Sequence, residues 1–104
     1  MKLHLGCGKR YLEGFVHIDI ADFEHIDFKS SIDNLEMIKD NSCDLIYASH
    51  VLEYFNLDEA DAVLNEWRKK IKKNGVLRVA VPNLESLILI YNKTKLPSNI
   101  LGPL

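Results

Sequence analysis

Apolar residues along the chain fall into short runs that polar turn residues separate. Several runs carry β-branched residues at alternate positions, a pattern that predicts half-buried strands. The run CDLIYA is almost continuously apolar, which is typical of a central strand covered on both faces. The segments that predict strands are residues 3–5, 15–20, 43–48 and 76–81, together with a weaker alternation in residues 23–32.

One longer segment repeats its apolar residues at helical spacing. Asp58 predicts the N-cap of this helix, and Asn74-Gly75 predicts its end. The basic residues within 68–73 then complement the helix dipole in the last turns. The apolar positions are Ala60, Val63, Leu64, Trp67 and Ile71. Two shorter segments predict a helical turn and a last helix, at residues 33–39 and 84–91 respectively.

Strands that alternate with helices predict an α/β fold with a parallel sheet built from βαβ units. The length of 104 residues favours a single domain over residues 1–104. Ligands of open parallel sheets bind beyond the carboxyl ends of the strands. The features expected at that edge are the Gly6-Cys7-Gly8 turn, Asp19, the Asp33-Asn34 turn and Ser49-His50.

Composition and charge count against several classes of function. Hydrophobic residues make up 47% and charged residues 27%, and the net charge of −2 gives no long-range attraction to nucleic acid or membranes. Cys7 and Cys43 form no CxxC pair, so a disulfide framework is not expected. His4, His17 and His25 lack ligand spacing, so no metal site is expected. The absence of signal-peptide and membrane-span patterns predicts a cytoplasmic protein.

The glycine turn after the first predicted strand indicates a nucleotide-type ligand, but the segment that follows is short. A dinucleotide site places a pyrophosphate at the N-terminus of a crossover helix, with an acidic residue about 20 residues on. Here Asp19 follows Gly6 by 13 residues, and a crossover helix does not fit between Gly8 and Phe15. The spacing favours a ligand that has a ribose and does not need a phosphate-binding site, such as S-adenosylmethionine (SAM).

Four segments together resemble class I SAM-dependent methyltransferases. They are LHLGCG, GFVHIDI, NSCDLIYASHVLEY and LNEWRKKIKKNGVLRVAVPN. The likeness is to small bacterial methyltransferase-11-like domains with a shortened first crossover, and it covers residues 2–85. It implies a Rossmann-like, mostly parallel sheet with flanking helices, SAM as cofactor and S-adenosylhomocysteine (SAH) as product.

The resemblance also assigns roles to residues at the expected ligand edge. Gly6 and Gly8 would let the backbone approach the methionine part of SAM. Asp19 would accept hydrogen bonds from the ribose hydroxyls. Asp33 and Asn34 either meet the adenine edge or form an ordinary helix cap. In the first case Leu35, Met37 or Ile38 would lie against the ring face. The complete set of implied cofactor-binding residues is Leu5, Gly6, Cys7, Gly8, Asp19, Ile20, Asp33, Asn34, Leu35 and Ser49.

His50 follows the central strand, where this family lines the methyl-transfer region. It would orient the acceptor, act as a general base, or serve as a structural hydrogen-bonding residue. Tyr54 stands where similar family members often carry histidine. The reaction implied is direct displacement of the methyl group onto a small-molecule or saccharide-type acceptor.

The resemblance stops before the end of the family fold. The last two strands have no sequence to build them, since residues 92–104 are short and proline-rich and predict an irregular tail. The strand at 76–81 would then be an exposed edge that a homodimer mate or a partner chain covers. Three alternatives stay open: an inactive SAM-fold interaction module, a truncated product of a longer gene, and a dinucleotide-binding fragment of an oxidoreductase.

Overall fold

The computed structural model describes residues 1–49, 51, 55–80 and 100–101. Six strands form one sheet in the order β3-β2-β1-β4-β5-β6, and every neighbouring pair is parallel. This is the strand order of a Rossmann-like sheet, with the topological switch point between β1 and β4. The elements are β1 (Lys2–Leu5), β2 (Val16–Asp19), β3 (Phe28–Lys29), β4 (Cys43–Ser49), α1 (Leu57–Lys70), β5 (Ile71–Ala80) and β6 (Ile100–Leu101).

One face of the sheet carries the hydrophobic core. Leu3 pairs with Ile46 and Leu5 pairs with Ala48, and all four side chains are fully buried. The apolar stripe of α1 packs in the same cluster and includes the fully buried Trp67. Because alternate strand residues point to the same face, this register brings the apolar positions of neighbouring strands together against the helix.

The opposite face of the sheet carries a row of polar and aromatic residues, which we call the polar row: His17, His4, Tyr47 and Arg78. The first three are buried, and Arg78 is half-buried. The four are register partners across β2, β1, β4 and β5. The His4 ring lies between its neighbours, 5.4 Å from the His17 ring and 5.1 Å from the Tyr47 ring. No helix of the described residues packs on this row; the segment between Gly8 and β2 lies beside it instead.

The α/β fold and its parallel sheet are confirmed, and the weak alternation in residues 23–32 contains the two-residue strand β3. The tail prediction needs a correction. Two residues of the tail, Ile100–Leu101, form β6 and pair with Leu77 and Arg78 of β5. Among the described strands, β5 is therefore not the last one in the sheet. The predicted helix at 84–91 lies outside the described residues.

The start of α1 differs from the prediction, because Asn56 and not Asp58 is the N-cap. The Asn56 side chain accepts a hydrogen bond from the Glu59 amide at 2.8 Å, and the Glu59 carboxylate accepts one from the Asn56 amide at 3.0 Å. This reciprocal capping box satisfies two backbone donors at once. Asp58 lies within the first turn, where its charge favours the positive end of the helix dipole.

The end of α1 also differs, because the helix stops at Lys70 and not at Asn74-Gly75. Ile71 is already extended and pairs with Cys43 of β4. The following residues bulge before regular pairing resumes at Val76, and a Cβ on Gly75 would lie 2.8 Å from the Cys43 carbonyl oxygen. The bulge thus needs glycine, and pairing with β4 overrides the helical pattern.

The predicted helical turn at 33–39 is a pair of hydrogen-bonded turns without a helix. The Asn34 side chain accepts from the Glu36 amide, and Glu66 of α1 accepts from the Leu35 amide at 3.0 Å. Such side-chain bonds to the backbone compete with helix formation. In the part of the chain that the structure describes, no helix is long and apolar enough to cross a membrane.

Candidate functional site

A cavity of about 350 Å³ opens at the carboxyl edge of the sheet. Its walls come from the residues at or just after the ends of β1, β2, β3 and β4, with one residue from the approach to α1. This position is the topological switch point, where open α/β sheets bind their ligands. The lining residues are Gly6, Asp19, Ile20, Ser31, Ile32, Val51 and Phe55.

Gly6 closes the floor of the cavity beside Val51. Its backbone has a φ of +62°, and its amide donates to the Ile18 carbonyl oxygen at 2.9 Å. A Cβ at this position would lie 2.4 Å from Val51 Cγ1. Glycine is required here for two independent reasons, the left-handed backbone and the close approach of Val51.

Asp19 provides the charged group of the cavity. One carboxylate oxygen accepts from the Gly8 amide at 2.7 Å, and the other accepts from the Ala21 amide at 2.9 Å. These bonds fix the orientation of the carboxylate at the end of β2. Each ionised oxygen can accept more than one hydrogen bond, so the group still has acceptor capacity for a ligand hydroxyl.

The other walls are largely apolar, since Ile20, Ile32, Val51 and Phe55 surround the carboxylate. Ile20 is 69% exposed and stands at the mouth. A fixed acceptor among apolar side chains suits a ligand that combines a flat, apolar ring system with a hydroxylated sugar. The cavity volume lies near the lower end of small-molecule sites, which span roughly 300–1,000 Å³.

A family model described as a methyltransferase domain matches residues 9–79, which is more than half of the chain. The chain belongs to this methyltransferase family. The match contains β2, β3, β4 and α1 and includes Asp19, and it begins directly after Gly8. No curated protein and no solved structure matches the chain.

Within this methyltransferase domain, the glycine turn contains a buried thiol of low reactivity. Cys7 is 7% exposed, and burial, followed by the charge of Asp19, raises the pKa of the thiol to about 11. The thiol is therefore protonated at neutral pH and is a poor nucleophile. Leu5 is fully buried in the core, so it offers only its backbone to the site.

Three of the residues predicted to meet the adenine lie in three different places, and none of them lines the main cavity. Asp33 lines a second, smaller cavity of about 190 Å³, together with Phe55, Glu59, Ala62 and Val63. Phe55 lines both cavities. Asn34 is exposed and its side chain accepts from the Glu36 amide, whereas Leu35 is fully buried in the core.

The predicted residues after β4 are only partly described. Ser49 ends β4 at the same edge of the sheet, but it is not among the residues that line the cavity. His50 and Tyr54 lie outside the described residues. Within residues 1–49, 51, 55–80 and 100–101, no three His, Cys, Asp or Glu side chains come together to hold a metal ion.

Four wall residues were not predicted from the sequence: Ser31, Ile32, Val51 and Phe55. Val51 and Phe55 follow the central strand in the stretch HVLEYF, so their position after a strand was the available signal. Ser31 and Ile32 follow a two-residue strand, which is too short to mark its own carboxyl end clearly. Apolar wall residues carry no chemistry that sequence patterns can single out.

Proposed function

We propose that this domain binds SAM in the cavity at the carboxyl edge and transfers its methyl group to a small-molecule or saccharide-type acceptor. The observation that carries the proposal is the Asp19 carboxylate, oriented by two backbone amides and facing an apolar cavity at the switch point. Methyltransferase domains generally use SAM, and the residues present here suit its ribose, its purine ring and its amino acid end.

The fit can be followed from residue to ligand group. The oriented oxygens of Asp19 suit a ribose diol, and the apolar walls suit a purine ring. In the glycine turn, the Cβ side of Gly8 is open among the described residues, which leaves space for the amino acid part of the ligand. Residues 9–15 contain turns and no helix, so no helix N-terminus is placed to hold a pyrophosphate.

The chemistry that this site needs from the protein is mainly positional. Bound SAM supplies a methyl group already activated by its sulfonium. Asp19 and the glycine turn would hold the methyl donor in one orientation, and alignment of two reactants is worth about 7–11 kcal/mol of the barrier. We propose His50 as the residue that orients the acceptor or removes its proton.

We also propose two properties of the whole protein. Among the described residues, β6 pairs with β5 at Leu77 and Arg78 alone, which supports a second chain, either a homodimer mate or a partner, beside this edge of the sheet. Light scattering at micromolar concentration should then show a mass above that of one chain, and a strictly monomeric species would refute the second chain.

Cys7 and Cys43 are both free thiols, which supports a cytoplasmic location.

The test of SAM binding is a calorimetric titration of the purified protein with SAM and SAH. We expect micromolar affinity, and we expect Asp19→Ala to raise the Kd at least tenfold, which corresponds to about 1.4 kcal/mol. Asp22→Ala is the matched control, because Asp22 is an exposed aspartate in the adjacent turn and does not line the cavity. No binding by the folded wild-type protein would refute the proposal.

A second titration separates a lost ribose contact from a distorted turn. Wild-type protein should bind adenosine more tightly than 2′-deoxyadenosine, because the 2′-hydroxyl donates to Asp19. In Asp19→Ala the two nucleosides should bind with similar affinity. An unchanged preference in the variant would mean that Asp19 does not contact the ribose. Binding of SAM without any methyl transfer would favour the inactive interaction module.

A further inference from the structure

The peptide groups of Gly8 are held from both sides by polar side chains. Its amide donates to the Asp19 carboxylate at 2.7 Å, and its carbonyl oxygen lies 2.8 Å from Nε2 of His25. The carbonyl oxygen can only accept, so Nε2 of His25 carries the proton and donates. Asp19 thus holds Gly8 at its amide, and His25 holds it at its carbonyl group.

Packing does not fix Gly8. Its backbone has a φ of +55°, and among the described residues other than Cys7, Gly8 and Lys9 no heavy atom lies within 4 Å of the position that a Cβ would take. A glycine in open space has wide conformational freedom, and ordering it costs free energy on folding. A turn bond from the Arg10 amide to the Cys7 carbonyl oxygen at 3.0 Å spans Gly8. Within that turn, the bond that Gly8 donates to Asp19 and the bond that it accepts from His25 hold its two peptide groups in one orientation.

Ring contacts orient the His25 side chain for this bond. The ring stacks on Phe23 at 6.0 Å with an interplanar angle of 9°, and it lies edge-on to His17 at 5.3 Å and to Tyr11 at 6.1 Å. His17 in turn accepts from the Leu12 amide at 3.0 Å. These rings support the segment that stands where a crossover helix would otherwise pack.

We propose that His25 is a positioning residue of the cofactor site, which it affects through Gly8. By holding the Gly8 carbonyl, it fixes the Gly8 amide against Asp19 and so keeps the carboxylate turned toward the ligand. The inference rests on the proposed function for its ligand, but the contact between His25 and Gly8 is independent of it. Neither the glycine motif nor the match to the family indicates this role, because His25 lies in the loop after β2.

Two nearly isosteric variants test the hydrogen bond without removing the bulk of the side chain. His25→Gln keeps an N–H donor, and His25→Met has none. Hydrogen exchange of the unliganded protein gives the first readout. In His25→Met the amides of Gly8 and Arg10 should exchange faster than in wild type, whereas the amides of β4 should be unchanged. His25→Gln should restore most of the protection. Equal exchange in all three proteins would overturn the proposal.

Affinity for SAM gives the second readout, measured by calorimetry under the same conditions. His25→Met should raise the Kd about two- to tenfold, the range that one hydrogen bond spans, and His25→Gln should stay near wild type. Glu24→Ala controls for changes elsewhere in this loop, because Glu24 is exposed and lies beside His25 in sequence. An equal effect of Gln and Met would assign the change to ring packing and refute the donor role.

The two readouts separate the two proposals. If the wild-type protein binds no SAM, the proposed function fails, and the exchange data still decide whether His25 orders Gly8. If the wild-type protein binds SAM and His25→Met binds it equally well, the positioning role fails while the proposed function stands.

Discussion

Histidine burial on the polar row makes the stability of this domain depend on pH. His4 is 2% exposed, and its Nδ1 atom has no hydrogen-bond partner among the described residues. Burial, followed by the neighbouring His17, Arg10 and His25, lowers the pKa of His4 from 6.5 to about 4, against a smaller opposing effect of Asp19. The imidazolium form has no compensating anion in contact with it, so the folded protein holds His4 neutral.

The sign of the effect follows from the protons bound in each state. Well above pH 6.5 the His4 ring is neutral in both states, and the full stability is present. Between pH 6.5 and pH 4 the unfolded chain binds a proton at His4 that the folded chain does not, so stability falls as the pH falls. The whole difference in pKa corresponds to about 3 kcal/mol, of which about 2 kcal/mol lies between pH 7 and pH 5.

The perturbation that tests this is His4→Phe, which keeps a ring beside Tyr47 and removes the titrating group. Urea unfolding of both proteins at pH 7 and pH 5 gives the free energies of unfolding. We expect the wild-type protein to lose about 2 kcal/mol more than His4→Phe over this range. The pKa of His17 is also lowered by burial, but His17 remains in both proteins and its effect cancels in the difference. Equal pH dependence of the two proteins would refute the reasoning.

Two further changes probe the glycine turn and the helix cap. Gly6→Ala forces a left-handed alanine against Val51. We therefore expect the free energy of unfolding in urea to fall by about 2–4 kcal/mol, and we expect no measurable SAM binding by calorimetry. Normal SAM binding by Gly6→Ala would contradict the assignment of Gly6 to the cavity floor. Asn56→Ala removes the N-cap of α1, so the free energy of unfolding should fall by about 1 kcal/mol in the same measurement. Asp58→Ala should lower it by less. A larger loss in Asp58→Ala than in Asn56→Ala would contradict the assignment of Asn56 as the N-cap.

The central parallel strands were predictable from the sequence because their apolar pattern is local. The predicted segments 3–5, 15–20 and 43–48 match the strands that form there to within one residue at either end. The position of Asp19 was predictable for a similar reason, since it closes an apolar run at the end of a strand, and it lines the cavity at the carboxyl edge.

The wrong predictions have two kinds of cause. Some depend on contacts between residues that are distant in the sequence, and one arises because two nearby residues suit the same role. Asn56 and Asp58 are both good N-caps, and only the backbone angles of the folded chain decide between them. The end of α1 depends on pairing between Ile71 and Cys43, which are 28 positions apart and carry no joint pattern. The contact between Gly6 and Val51 is likewise a property of the assembled sheet.

The His25 contact could not be predicted because nothing in a lone histidine of a loop marks its partner. Its position after β2 becomes meaningful only when the sheet brings Gly8 within hydrogen-bonding distance. The same holds for the polar row, whose four members lie far apart in the sequence and meet only through the strand register. Long-range order of this kind lies beyond periodicity arguments.

The central claim is that SAM binds in the cavity between Gly6, Asp19 and Val51. The most direct test is an amide NMR titration of the protein with SAH. The account predicts chemical-shift changes at Gly6, Gly8 and Val51, and none at Gly75, which lies at the opposite end of the sheet. Changes confined to Gly75 and its neighbours, or no changes at saturating SAH, would contradict it.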